Sequence, residues 1–246
     1  MEWLVLVTFL VGLGSSMLSG MSGGGGGFIT VPYFLLVVGL PPANALATAK
    51  MGGIGTSFGA ITALKGKGLV HKGLVYKFMA ITVVCSLIAA WLIPRLDPGL
   101  FRRIIGIFLL LLVPTLFINK KAFHPGARSK RWIGWGFVLY TIFSFLQTVI
   151  GTGMGSVLVL ILMFLFGLSA LESNATKRVA QSVQSVILFV LLSIQGLVYW
   201  WHGAAGLIGS TIGSHIGTHI AIKRGDRFVK IMLAVVMVTS GVALLV

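Results

Sequence analysis

The chain has 246 residues, of which 57% are hydrophobic and 9% charged, with a mean hydropathy of +1.04. Soluble domains carry about 25% charged residues, so an ordinary globular enzyme is excluded and a polytopic membrane protein remains. Lys and Arg number 19 against four acids, Glu2, Asp97, Glu172 and Asp226, for a net charge of +15; in so apolar a chain this excess reads as loop charge that sets topology and meets anionic lipid head groups, not as a nucleic-acid surface.

Residues 1 to 11 read MEWLVLVTFLV, with Glu2 where a cleavable signal carries Lys or Arg, so 3–20 is expected to be a retained first membrane helix. Four more apolar stretches follow at 28–40, 46–64, 73–93 and 101–118. A basic linker, KKAFHPGARSKR, precedes five others at 134–150, 156–168, 174–195, 199–222 and 228–246. The expected organisation is therefore a first membrane repeat over 1–119, a cytoplasmic linker over 120–133 and a second repeat over 134–246. Cys85 is the sole cysteine, which excludes an intrachain disulfide or a cysteine metal cluster.

The stretches 28–40 and 156–168 are too short to cross a bilayer core of about 30 Å at 1.5 Å per residue. Each follows a glycine-rich break, GGGGG at 23–27 and GTGMG at 151–155. A short helix entered through glycines suggests a re-entrant or broken segment, tolerated at membrane depth only inside protein or beside a wet cavity.

The halves repeat. A shift of 128 residues gives 13 identities over the 48 positions from 23 to 70, among them Gly23 with Gly151, Gly39 with Gly167, Thr48 with Thr176 and Ser57 with Ser185. Lys50 pairs with Arg178, which keeps a cation in place. An odd number of segments per half implies inverted topology. With the Lys65–Lys77 loop placed inside, the linker, the Lys177/Arg178 region and the Lys223–Lys230 loop also face inward. Fifteen basic residues then lie inside and four, Lys50, Arg95, Arg102 and Arg103, outside. The expected fold is all-α and polytopic, with two inverted repeats of about five helical segments and both termini periplasmic. The first two segments of each repeat are short or re-entrant.

Inverted repeats with paired broken helices point to a secondary transporter whose site lies where the half-helix N-termini meet. Free N–H groups at such termini favour an anion. The candidate binding residues are Gly23, Gly24, Gly25, Gly26 and Gly27 in the first half, with Gly151, Thr152, Gly153 and Gly155 in the second. The cations Lys50 and Arg178 join them, with Thr48, Thr176, Ser57, Gln181 and Ser185 as polar neighbours. Against this stand helix packing by small residues and snorkelling of cations to head groups. Lys177 reads as a loop charge. Ser19, Ser22, Gln147 and Gln184 are further polar candidates, each equally able to bond a neighbouring helix. His215 and His219 lie four apart without a third ligand, so no metal is expected; Gly209, Gly213 and Gly217 on the same segment read as a packing face. No catalytic constellation stands out and no cofactor is implied.

SGMSGGGGGFITVP at 19–32, ATAK at 47–50, GTGMGS at 151–156 and NATKRV at 174–179 resemble the TauE/SafE sulfite exporter family. The resemblance covers essentially the whole chain. It implies a bacterial inner-membrane protein that moves sulfite, sulfonates or related anions, with the glycine runs, Thr48, Lys50, Thr176 and Arg178 in its site. An inside-negative potential drives a monovalent anion outward by about 2.3 kcal/mol per 100 mV, so export needs no coupling ion. Concentrative uptake would need one, and Glu172 is the one carboxylate to offer. An anion channel and a non-transporting membrane subunit are the alternatives. The sequence leaves the oligomeric state open, a homo-oligomer included.

Overall fold

The computed structural model describes residues 2–22, 27–116, 129–151 and 154–223, and in it the apolar stretches are helices. The first half holds α1 (Glu2–Ser22), α2 (Gly27–Leu36), α3 (Pro42–Leu64), α4 (Lys72–Leu92) and α5 (Pro98–Leu116). The second holds α6 (Lys130–Ile150), α7 (Gly155–Phe166), α8 (Ala170–Ile194) and α9 (Trp200–Lys223). The stretch expected at 228–246 lies outside the described residues.

The helix starts repeat at the register of the sequence. Each of α6, α7, α8 and α9 begins 128 residues after α1, α2, α3 and α4 respectively. The caps repeat as well. Gly39 after α2 and Gly167 after α7 take φ of +77° and +71°, a left-handed conformation open to glycine at little cost. The next N–H folds back onto the helix in both, Leu40 to the Phe34 carbonyl at 2.9 Å and Leu168 to that of Leu162 at 3.4 Å. Both short helices thus end in the same six-to-one closure.

Among the described residues, four helices are long and apolar enough to cross a membrane, with spans at Trp3–Met21, Lys72–Arg95, Arg131–Ile150 and Leu171–Ile194. Helices α3 and α9 match them in length, with 23 and 24 residues, but carry more glycine. Helices α2 and α7, with 10 and 12 residues, reach only about 15–18 Å. Large apolar side chains remain on the outside, Trp3, Leu10, Trp91, Trp132 and Trp201 among them, which is the surface a bilayer covers.

The halves interlock. Helix α9 packs chiefly on α1 and α3 of the first half, and α4 on α6 and α8 of the second. The α9 seam is lined by glycine. A Cβ at Gly209, Gly213 or Gly217 would lie 2.0–2.2 Å from the carbonyl of Phe9, Leu13 or Met17 in α1. A Cβ at Gly55 or Gly59 of α3 would lie 2.2–2.3 Å from the carbonyl of Leu207 or Thr211. Here backbones touch directly, as small residues permit in membranes.

Candidate functional site

Lys50 and Arg178 stand at equivalent places, each eight residues after the first residue of its helix, α3 or α8. At 1.5 Å per residue this is about 12 Å in from the helix end, too deep for an ordinary loop charge. Both side chains are buried, with 8% of Lys50 and 1% of Arg178 exposed. Both line one cavity of about 70 Å³. An ordered water needs roughly 10–15 Å³ of such space, so the cavity has room for several waters or one small polyatomic ion.

The remaining wall is polar. Ser16 and Ser19 of α1, Thr56 of α3, Gln147 of α6, Gln181 and Ser185 of α8 all contribute, and Gly27, Gly52, Gly53 and Gly151 keep the wall low. Arg178 donates from Nη2 to Ser19 twice, to its carbonyl at 2.7 Å and to its Oγ at 2.9 Å. Among the described residues its buried Nε has no partner, and neither do Oε1 of Gln147 and Oε1 of Gln181. Lys50 makes no hydrogen bond or ion pair among the described residues. Among the described residues, no acidic side chain lines the cavity. Glu172 closes a capping box with Ser169 at the start of α8, and Asp97 accepts from the Leu100 N–H at 2.7 Å. The candidate coupling carboxylate is therefore engaged in a helix cap.

Of the residues expected in the site, Gly27, Lys50, Gly151, Arg178, Gln181 and Ser185 meet at the cavity, joined by Ser19 and Gln147. Gly23, Gly24, Gly25, Gly26, Thr152 and Gly153 lie outside the described residues, as does the side chain of Ser22. Thr48 and Thr176 are elsewhere. Each hydroxyl accepts the backbone N–H that precedes the fourth helix of the opposite half, Tyr199 onto Thr48 at 3.1 Å and His71 onto Thr176 at 3.0 Å. Ser57 is buried off the cavity with its hydroxyl unpartnered. Gly155 turns its carbonyl to Lys177 Nζ at 3.3 Å. Gln184 bonds the Ser144 carbonyl at 3.4 Å and the Thr148 hydroxyl, a helix-to-helix contact.

Lys177 corrects the loop-charge reading. It is 1% exposed and tethers the start of α7 through the Gly155 carbonyl, because the residue just before the deep cation on α8 also faces protein. The three buried cations also leave the expected topology count, one from its outer side and two from its inner, and the expected bias keeps its sign without them. Ser16, Thr30, Thr56 and Ser210 were not expected in the wall; isolated hydroxyls carry no signal until helices bring them together. His215 and His219 stack edge to face at 4.7 Å, with His215 Nδ1 3.1 Å from Thr62 Oγ1. Among the described residues no three His, Cys, Asp or Glu side chains gather as metal ligands.

Comparisons with known proteins agree along the whole length. The family model "Sulfite exporter TauE/SafE" matches residues 8–244. A "Probable membrane transporter protein" of Haemophilus influenzae is 25% identical over 234 residues, covering 94% of this chain and 91% of its own. The Escherichia coli K12 "Probable membrane transporter protein YfcA" is 25% identical over 97% of this chain and 88% of its own. A Sinorhizobium "Probable membrane transporter protein ORF9" is 26% identical over 100% and 92%. No solved structure matches the chain.

Proposed function

As a member of the sulfite exporter TauE/SafE family, the chain is a multi-pass membrane transporter, and we propose that its cargo is a small sulfur-containing oxyanion, sulfite or an organosulfonate, moved out across the bacterial cytoplasmic membrane. The observation that carries this reading is the cavity itself. Two cations from equivalent positions of the two halves line it, and among the described residues no carboxylate does. Arg presents a planar fork suited to an oxyanion, Lys a point charge, and the hydroxyls and amides supply further donors. A cation carrier would require the opposite arrangement.

The mechanism is alternating access between inverted halves. Both termini lie outside, the basic linker lies against anionic lipid inside, and the binding cavity opens to each side in turn. The interlocked fourth helices couple the halves, since moving α4 against α6 and α8 must shift the wall that Arg178 belongs to. The membrane potential supplies the direction, about 2.3 kcal/mol per elementary charge per 100 mV.

Flux in proteoliposomes under an inside-negative potassium diffusion potential tests this. Saturable efflux of sulfite or a small sulfonate is expected. Arg178→Ala and Lys50→Ala should each cut it about tenfold or more, the value of one charge-assisted contact. Thr48→Ala should stay near wild type. Undiminished efflux in both cation variants would remove the cavity from the pathway, and unitary currents without exchange of labelled substrate would replace the carrier by a channel.

A further inference from the structure

The valence of the cargo follows from the charges that face the cavity. We infer that the site is built for a dianion and discriminates against monoanions of the same shape, which among the cargoes proposed above selects sulfite in its dianionic form over a simple organosulfonate. This rests on the cavity being the anion site proposed above.

Two cations share the wall, and both are buried. Every other described residue that lines it is neutral. Arg178 leans on a neutral partner, Ser19, and keeps a buried Nε without one; Lys50 has no hydrogen-bond or ion-pair partner among the described residues. Charges withdrawn from water are costly unless paired. A monoanion would pair one cation and leave the other uncompensated, whereas a dianion pairs both at once. The cavity, of about 70 Å³, admits only a small ion, and both cations line it, so the charge of that ion decides how many of them it can compensate. The two cations differ, one a guanidinium fork and the other an ammonium, so a tetrahedral or pyramidal oxyanion would be held by two oxygens at Arg178 and by a third at Lys50.

Isosteres of unequal charge separate this from simple anion binding. Sulfate, perchlorate and methanesulfonate would be titrated into the purified full chain in detergent, with affinity read by calorimetry. Sulfate should bind at least about tenfold more tightly than either monoanion. Lys50→Gln should lose about tenfold or more for sulfate, and far less for the monoanions, so that the preference collapses. Lys50→Arg, which keeps the charge, should restore it and shows that loss in Lys50→Gln is not misfolding. Equal affinities in the wild type, or an equal loss for all three ions in Lys50→Gln, would overturn the dianion inference while leaving an anion site standing. Failure of all three ions to bind would remove the anion site and this inference with it.

Discussion

The seams formed by α9 and by α4 occupy equivalent places and are built in opposite ways. On the α9 side, a Cβ at Gly12 would lie 3.0 Å from the Gly206 carbonyl, so the two main chains nearly touch. The residues 128 positions away in each case are Tyr140 and Phe78, whose rings stack at 4.0 Å and 27°. Phe166 and Phe137 complete that aromatic cluster, meeting Phe78 or each other at 5.0–5.7 Å. Likewise Gly213 has no room for a Cβ beside the Leu13 carbonyl, while its counterpart Cys85 fits a thiol 3.9 Å from the Thr141 carbonyl. The repeat thus preserves helix starts, caps and partners, but not the distance between helices. One seam is main chain on main chain, and the other is filled by side chains.

The comparison breaks first at the glycines. Gly213→Val forces a Cβ into a position 2.0 Å from the Leu13 carbonyl, and no rotamer relieves a clash with backbone. The expected result is loss of the folded, monodisperse protein in detergent, as a cost of several kcal/mol consumes most of a stability of about 5–15 kcal/mol. Cys85→Val, the equivalent change on the other seam, should be tolerated to within about 1–3 kcal/mol, as for ordinary overpacking. Equal damage at both sites would show that the seams are not mechanically different.

Phe78→Ala comes next. Emptying a fully buried ring from the aromatic cluster should cost about 3–5 kcal/mol, read as a lowered unfolding midpoint. Gly206→Ala, its counterpart, meets nothing closer than the Thr8 methyl at 3.9 Å. It should be neutral or slightly stabilising, since alanine is the better helix former by about 1 kcal/mol.

The smallest effect sharpens the comparison where the halves agree. Thr48→Ala and Thr176→Ala each strand one backbone N–H, that of Tyr199 or His71, and each should cost about 1–2 kcal/mol. Matching losses in equilibrium unfolding are expected. A loss confined to one of them would mean that the reciprocal pins are not equivalent in strength.

The helices were legible because a membrane helix announces itself by apolar length alone, and the expected limits fall within a few residues of those observed for the nine described helices. The short α2 and α7 were legible for the converse reason, a glycine run followed by too few apolar residues. The two deep cations were legible only through the repeat, which paired Lys50 with Arg178. Composition misled at Lys177, where two adjacent basic residues look like a loop, and at Thr48 and Thr176, whose proximity to the cations in sequence suggested a ligand. Their hydroxyls point across the interface to the other half. Ser16, Thr56 and Ser210 had no periodic or motif signal, because their place in the wall depends on how α1, α3 and α9 approach one another.

The exchange of fourth helices has a consequence for biosynthesis. Helix α4 is complete at Leu92, but its partner α8 begins at Ala170. At about 5–20 residues per second, that partner emerges seconds later. In the interval α4 can wait in lipid, because a helix satisfies its own backbone there. The glycine faces of α1 and α3 likewise wait for α9, the last of the described helices to be made. Final assembly is thus a late lateral step within the bilayer, and two halves synthesised as separate chains should still find each other there, each supplying the helix that the other lacks.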